Sequence, residues 1–203
     1  MKTLTLVLSL ILGHGIASAQ SPPHQEEILE WQKEMEEQLL DKEKSPLGKK
    51  ELKQFDGLDY YPIDSSYRVK ARFVRTPNEL PFNMPTTTER LPIYVKYGEA
   101  IFTLDGREFT LPLYQSQTLL NVDAAEDYLF LPFTDKTNAL ETYGGGRYLD
   151  LSIPEGDYII IDFNKAYNPY CAYNERYSCP IPPKVNRLDI EIRAGVKDWK
   201  GHK

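Results

Sequence analysis

The chain has 203 residues, with 30 acidic and 24 basic side chains and a formal net charge of −6. That length suits one domain with a real core. A mildly acidic chain whose Lys and Arg are scattered offers no basic tract for nucleic acid. Its histidines stand at His14, His24 and His202 only. A Ser-His-Asp or Cys-His nucleophilic centre, or a His-ligated zinc or copper site, is therefore not expected within the domain.

The N-terminus reads as an export signal over residues 1–19. Lys2 is followed by a short apolar run over 3–12 and by Ala17-Ser18-Ala19, with small residues where a signal peptidase reads. The mature chain is expected to begin near Gln20 and to act in the periplasm or outside the cell; the alternative is a short anchor left uncleaved. No Cys follows the run, so no lipid anchor is indicated. No later stretch is long enough to span a bilayer; the most apolar, YIIIDF at 158–163, has strand length. Residues 20–44 read as a mobile arm, with His24 in it, and an amphipathic helix over Glu26–Leu40. There Ile28, Trp31, Met35 and Leu39 recur at three- and four-residue spacing. A second short helix is expected over Leu47–Gln54, with Ser45 as N-cap and Pro46 at the first helical position.

From residue 67 the period becomes two. Tyr67, Val69, Ala71 and Phe73 alternate with basic residues, and Ile93, Val95 and Tyr97 form the next strand. Residues 99–104 and 107–113 flank Asp105-Gly106, a type I′ hairpin signal. Leu129–Phe133 reads as a strand, and its Pro132 suggests an edge or a strand end. Residues 147–151 and 157–163 read as a pair joined by Pro154-Glu155-Gly156-Asp157, and Leu188, Ile190 and Ile192 as a last strand. The expected domain, residues 45–203, is mainly β with an N-terminal helix: an antiparallel β-sandwich or barrel, single domain. The segment 163–186 fits neither strand nor helix. Its Tyr, Pro and Cys content points to ordered packing.

Three groups of residues could carry chemistry. The glycines Gly144, Gly145 and Gly146 sit among Asp135, Thr137, Asn138, Glu141, Arg147 and Asp150, where backbone N–H groups could meet an anion. The segment has neither a Walker ending nor a dinucleotide fingerprint, so no cofactor is implied. The alternative is a tight turn braced by an Arg147–carboxylate pair. Second, Asp135, Glu141, Asp150 and Asp162 could supply an acid–base pair for a glycosidic bond, or serve as salt bridges and turn caps. Third, Tyr167, Tyr170, Tyr173 and Tyr177, with Asn164, Asn168 and Asn174, could line a pocket for a sugar or another polar ring compound, or fill a loop core. Cys171 and Cys179, with seven residues between them, could close a disulfide in an oxidising compartment or stay buried thiols. No metal site is indicated. An oxygen-ligand calcium or magnesium site stays open, without EF-hand spacing.

The motifs SPL at 45–47, FxGLxYYPID at 55–64, YRVKARF at 67–73, FTDKTNALETYGGGRYLD at 133–150 and DFNKAYNPYCAYNERYSCPIPPKVNRL at 162–188 resemble the bacterial family catalogued as domain of unknown function 1684. The resemblance covers roughly residues 28–197 and departs from the pattern at Ala139-Leu140. It implies a family, often exported, and no agreed reaction. It adds Arg72 and Tyr143 to the residues of interest. The leading expectation is a module binding a small polar or anionic ligand. Arg72 and Arg147 would hold an anionic group, and the glycine turn would meet the Tyr-rich loop at one pocket mouth. A carboxylate hydrolase, with Glu141 paired to Asp135, Asp150 or Asp162, and a structural or partner-binding protein are the alternatives. Nothing in the pattern sets an oligomeric state.

Overall fold

The computed structural model describes residues 23–119 and 126–201. The expected signal peptide lies outside the described residues. Helix α1 spans His24–Leu40 and buries Ile28 and Leu39. His24 is not in a mobile arm: it opens the helix, and its Nε2 lies 2.6 Å from Asp162 Oδ2. Glu27 pairs with Lys165 at 2.6 Å, and Glu36 accepts the Leu58 N–H, so both ends of α1 are tied to later segments of the chain. Helix α2 is shorter than expected, Lys49–Gln54, with Gly48 as its N-cap. Ser45 Oγ instead accepts the Leu47 N–H at 3.0 Å and closes a turn before the helix.

The strands are β1 (Arg68–Arg75), β2 (Phe82–Asn83), β3 (Ile93–Leu104), β4 (Arg107–Ser116), β5 (Tyr128–Phe133), β6 (Arg147–Ser152) and β7 (Tyr158–Asp162). Among the described residues they form one antiparallel sheet in the order β6-β5-β4-β3-β1-β7, with β2 on β3. The two strands expected at 93–97 and 99–104 are one long β3 with a register shift between Lys96 and Gly98. Asp105 and Gly106 adopt φ of 50° and 70°, the positive pair a type I′ turn needs.

Strands β6 and β7 do not pair with each other. β6 pairs with β5 and β7 with β1, at opposite edges of the sheet. Only residues 153–157 join them. Six strands laid flat would set those edges about 24 Å apart, whereas the connection reaches about 20 Å fully extended. The sheet must therefore curl, and it forms a half-barrel with a cleft between β6 and β7. Pro132 is tolerated in the interior strand β5 because the β4–β5 ladder is reduced to one pair, Tyr114 with Phe130.

Both faces of the sheet are covered. One carries the main core, in which Ala71, Ala100, Leu113, Leu131 and Ile161 are fully enclosed. Tyr114, Phe130 and Tyr148 stand on the other, under Met84 and Cys179. The segment 188–196 keeps the expected alternation, with Leu188, Ile190, Ile192 and Ala194 buried, but it is not a strand. Its backbone bonds go to loop 134–136 and to side chains, and at its end to Tyr61 and Ala166.

Ile28→Ala, which empties a fully buried site on α1, is expected to cost about 2–4 kcal/mol. Leu29→Ala on the half-exposed face should cost less than about 0.5 kcal/mol. Urea unfolding of the two variants measures the difference, and equal losses would mean that α1 docks by another face.

Candidate functional site

Arg147 is completely enclosed. Its Nη2 donates to Asp135 Oδ2 at 2.9 Å and to the Ile192 carbonyl at 2.8 Å. Its Nη1 donates to the Ala194 carbonyl at 2.5 Å and the Val196 carbonyl at 3.3 Å. Burial pulls the Arg147 pKa down, and the Asp135 carboxylate opposes that shift. Asp135 Oδ1 takes the Thr137 N–H and hydroxyl and the Ile192 N–H. Asn138 accepts the Asp135 N–H and donates to Thr142 and to the Tyr143 carbonyl. The glycine-rich segment is thus a braced turn. Gly146 holds φ 92°, and a Cβ there would lie 2.6 Å from the Phe133 carbonyl oxygen. Only Gly144 and Gly145 face solvent.

This corrects the expected anion site. Arg147 has no surface to offer a ligand, and Arg72 is exposed on β1 between Ile101 and Tyr158, so the two guanidinium groups do not meet. The carboxylates separate too. Glu141 accepts from the Tyr61 hydroxyl and pairs with Arg193; burial and that carboxylate push the Tyr61 pKa up to about 12. Asp162 is buried at the end of β7. Its Oδ1 takes the N–H and side-chain amide of Asn164, while Oδ2 faces His24 and Arg68. Asn164 also clamps the backbone of Asp64, and Asn168 donates to the Lys197 carbonyl. These two Asn side chains brace the fold.

The glycine-rich segment and the Tyr-rich loop do meet. Tyr148 and Tyr167 exchange backbone hydrogen bonds, the Tyr148 hydroxyl donates to the Pro180 carbonyl, and the Tyr143 hydroxyl lies 3.6 Å from Cys171 Sγ. Two adjoining cavities of about 310 and 330 Å³ share Tyr148, Tyr167 and Pro180. The first opens toward Tyr94 and Tyr128, the second toward Met35 of α1, Tyr170 and Tyr177. Asp150 lies on the wall of the second and is exposed. The hydroxyls of Tyr128 and Tyr167 both donate to its Oδ1 at 2.7 Å, and no described residue donates to Oδ2. Burial, reinforced by the Asp150 charge, pushes both phenols upward, so they stay protonated donors.

Tyr94, Tyr128, Tyr148 and Met35 escape sequence reasoning because each also fits an ordinary strand or helix. The usable signal is YLFLPF at 128–133, apolar on both faces, which marks a strand covered on both sides. The expected disulfide is not formed: Cys171 and Cys179 are free thiols, with the Cys171 N–H donating to Cys179 Sγ at 3.1 Å. Among the described residues no group of three or more His, Cys, Asp or Glu could hold a metal, and no helix is long and apolar enough to cross a membrane.

Fold and site together describe a curled antiparallel half-barrel with a tyrosine-lined cavity on its outer face. Residues 53–197 match the family model described as a protein of unknown function, DUF1684, and the chain belongs to that family. It is similar to the solution NMR structure of an uncharacterized protein from Haloarcula marismortui, at 32% identity and a TM-score of 0.63, over 85% of this chain and 97% of that one. No curated protein matches the chain.

Arg147→Ala is expected to lower stability by about 3–5 kcal/mol, since it strands a buried carboxylate and three carbonyls. Arg193→Ala, at the exposed Glu141 pair, should leave the urea midpoint within error. Comparable losses would remove Arg147 from its bracing role.

Proposed function

We propose that this protein binds a small polar ring compound, neutral or cationic, in the tyrosine-lined cavity beside Asp150. The observation that carries the reading is the pairing of aromatic walls with one carboxylate whose Oδ1 is saturated by two phenols and whose Oδ2 receives no donor from the described residues. Flat tyrosine faces suit the apolar side of a sugar-like ring, and the carboxylate accepts a hydroxyl or an ammonium. No arginine or lysine among the described residues lines either half of the cavity, so the anionic ligands admitted by the sequence are disfavoured. The N-terminal pattern supports an exported protein that meets this ligand outside the cytoplasm.

A hydrolytic reading draws on one observation. Asp150 and Asp162 line the same cleft of about 240 Å³ between β6 and β7. Against it, both oxygens of Asp162 are already engaged by Asn164, His24 and Arg68, which leaves poor access for a substrate proton.

A thermal-shift panel of neutral sugars, amino sugars, organic cations, organic acids and phosphates tests the proposal, because a ligand of the folded state raises Tm by mass action. A sugar or amine should raise Tm. The shift should vanish in Tyr170→Ala, which changes a partly exposed cavity wall, and persist in Arg72→Ala. Stabilisation confined to the anions would overturn the reading.

A further inference from the structure

The inner wall of the aromatic cavity holds a second chemistry that does not depend on the ligand. Cys179 lines that wall beside Tyr170 and Tyr177. Its backbone is fixed on both sides by Thr87, whose N–H donates to the Cys179 carbonyl at 2.9 Å and whose Oγ1 accepts the Cys179 N–H at 3.1 Å. Cys171 is carried by the helical turn Tyr170–Ala172, and its own N–H points at Cys179 Sγ from 3.1 Å. The Cys171 backbone thus seats directly on the Cys179 sulfur. The two cysteines therefore meet from two separately anchored backbones, yet they are not bonded.

Their surroundings differ. Cys179 is buried, whereas Cys171 is half-buried. The Tyr143 hydroxyl lies 3.6 Å from Cys171 Sγ. We propose that Cys171 and Cys179 form a reactive dithiol that exchanges with small disulfides, Cys171 attacking first and Cys179 resolving.

The neighbouring Cys179 thiol lowers the Cys171 pKa and the Tyr143 hydroxyl helps, against the opposing effect of burial. The neighbouring Cys171 and burial push Cys179 up. That shift favours the Cys171 thiolate, the nucleophilic form. It attacks one sulfur of a disulfide R–S–S–R, forming Cys171–S–S–R and releasing R–S⁻. The released thiolate takes the Cys179 proton. Cys179 then attacks the Cys171 sulfur and expels the second R–S⁻. Two protein thiols are oxidised to one disulfide while R–S–S–R is reduced to two thiols. The closed bridge staples Tyr170 and Ser178, the neighbours of the two cysteines, into the cavity wall.

Pulsed iodoacetamide labelling of the reduced protein across pH, read peptide by peptide by mass spectrometry, tests the assignment without any cavity ligand. Cys171 should label at least about tenfold faster than Cys179 at pH 7 and titrate below the ordinary thiol range. Tyr143→Phe should move that midpoint up. With oxidised glutathione, the parent should lose the mass of two hydrogens and keep no adduct. Cys179→Ser should retain one glutathione on Cys171, and Cys171→Ser should stay largely unmodified; melting curves confirm that each variant is folded. Equal labelling with both midpoints in the ordinary thiol range, an adduct trapped mainly on Cys179, or no bridge in the parent would each overturn the proposal.

Discussion

The fold depends on one buried guanidinium. Arg147 opens β6, and its four terminal N–H bonds gather a carboxylate from loop 134–142 and the carbonyls of Ile192, Ala194 and Val196. Those three carbonyls turn toward the guanidinium while the side chains of Ile192, Ala194 and Val196 are buried. The planar fork of Arg suits this arrangement, and a single ammonium would not reproduce it. Asp135 closes the circuit by accepting the Ile192 N–H. A segment with no ladder of its own thereby has its polar groups satisfied inside the protein.

This bracing decides where a site can lie. The glycine turn is consumed in building the Arg147 niche, which leaves the outer face of β5 and β6 for the Tyr-rich loop to cover. That cover is imperfect, and the gap is walled by tyrosines from strands and loop alike. Asp150, next to the buried half of β6, alternates outward and becomes the polar feature of the gap. A one-residue slip of β6 would exchange the roles of neighbouring residues, so the Arg147 anchor also sets the register of the site.

The elements set by local chemistry were legible in the sequence. The period of α1 names its buried residues, and Asp105-Gly106 adopts the backbone its turn type requires. Elements set by non-local geometry were not. Residues 147–151 and 157–163 look like a hairpin because their connection is short, but that shortness reflects a curled sheet bringing opposite edges together. The alternation over 188–192 reports burial correctly. It cannot report that the backbone bonds run to loop 134–136 and to side chains instead of a neighbouring strand. The site was half visible: both motifs that meet were singled out by their residues, whereas Arg147 beside three glycines looks like an anion cradle until its burial is seen. The Tyr94 and Tyr128 walls were hidden because tyrosine is also an ordinary strand former.

The most direct test of this account is residue-resolved amide hydrogen exchange at Leu188, Ile192 and Val196 in the parent and in Arg147→Lys. Lys keeps a charge for Asp135 but lacks the fork that holds the three carbonyls. If Arg147 anchors the segment, these amides exchange in the parent only through global unfolding and in Arg147→Lys through a faster local opening, while the β3–β4 amides keep their protection relative to global stability. Unchanged protection of Ile192 and Val196 relative to β3–β4 would contradict the central place given to the buried guanidinium.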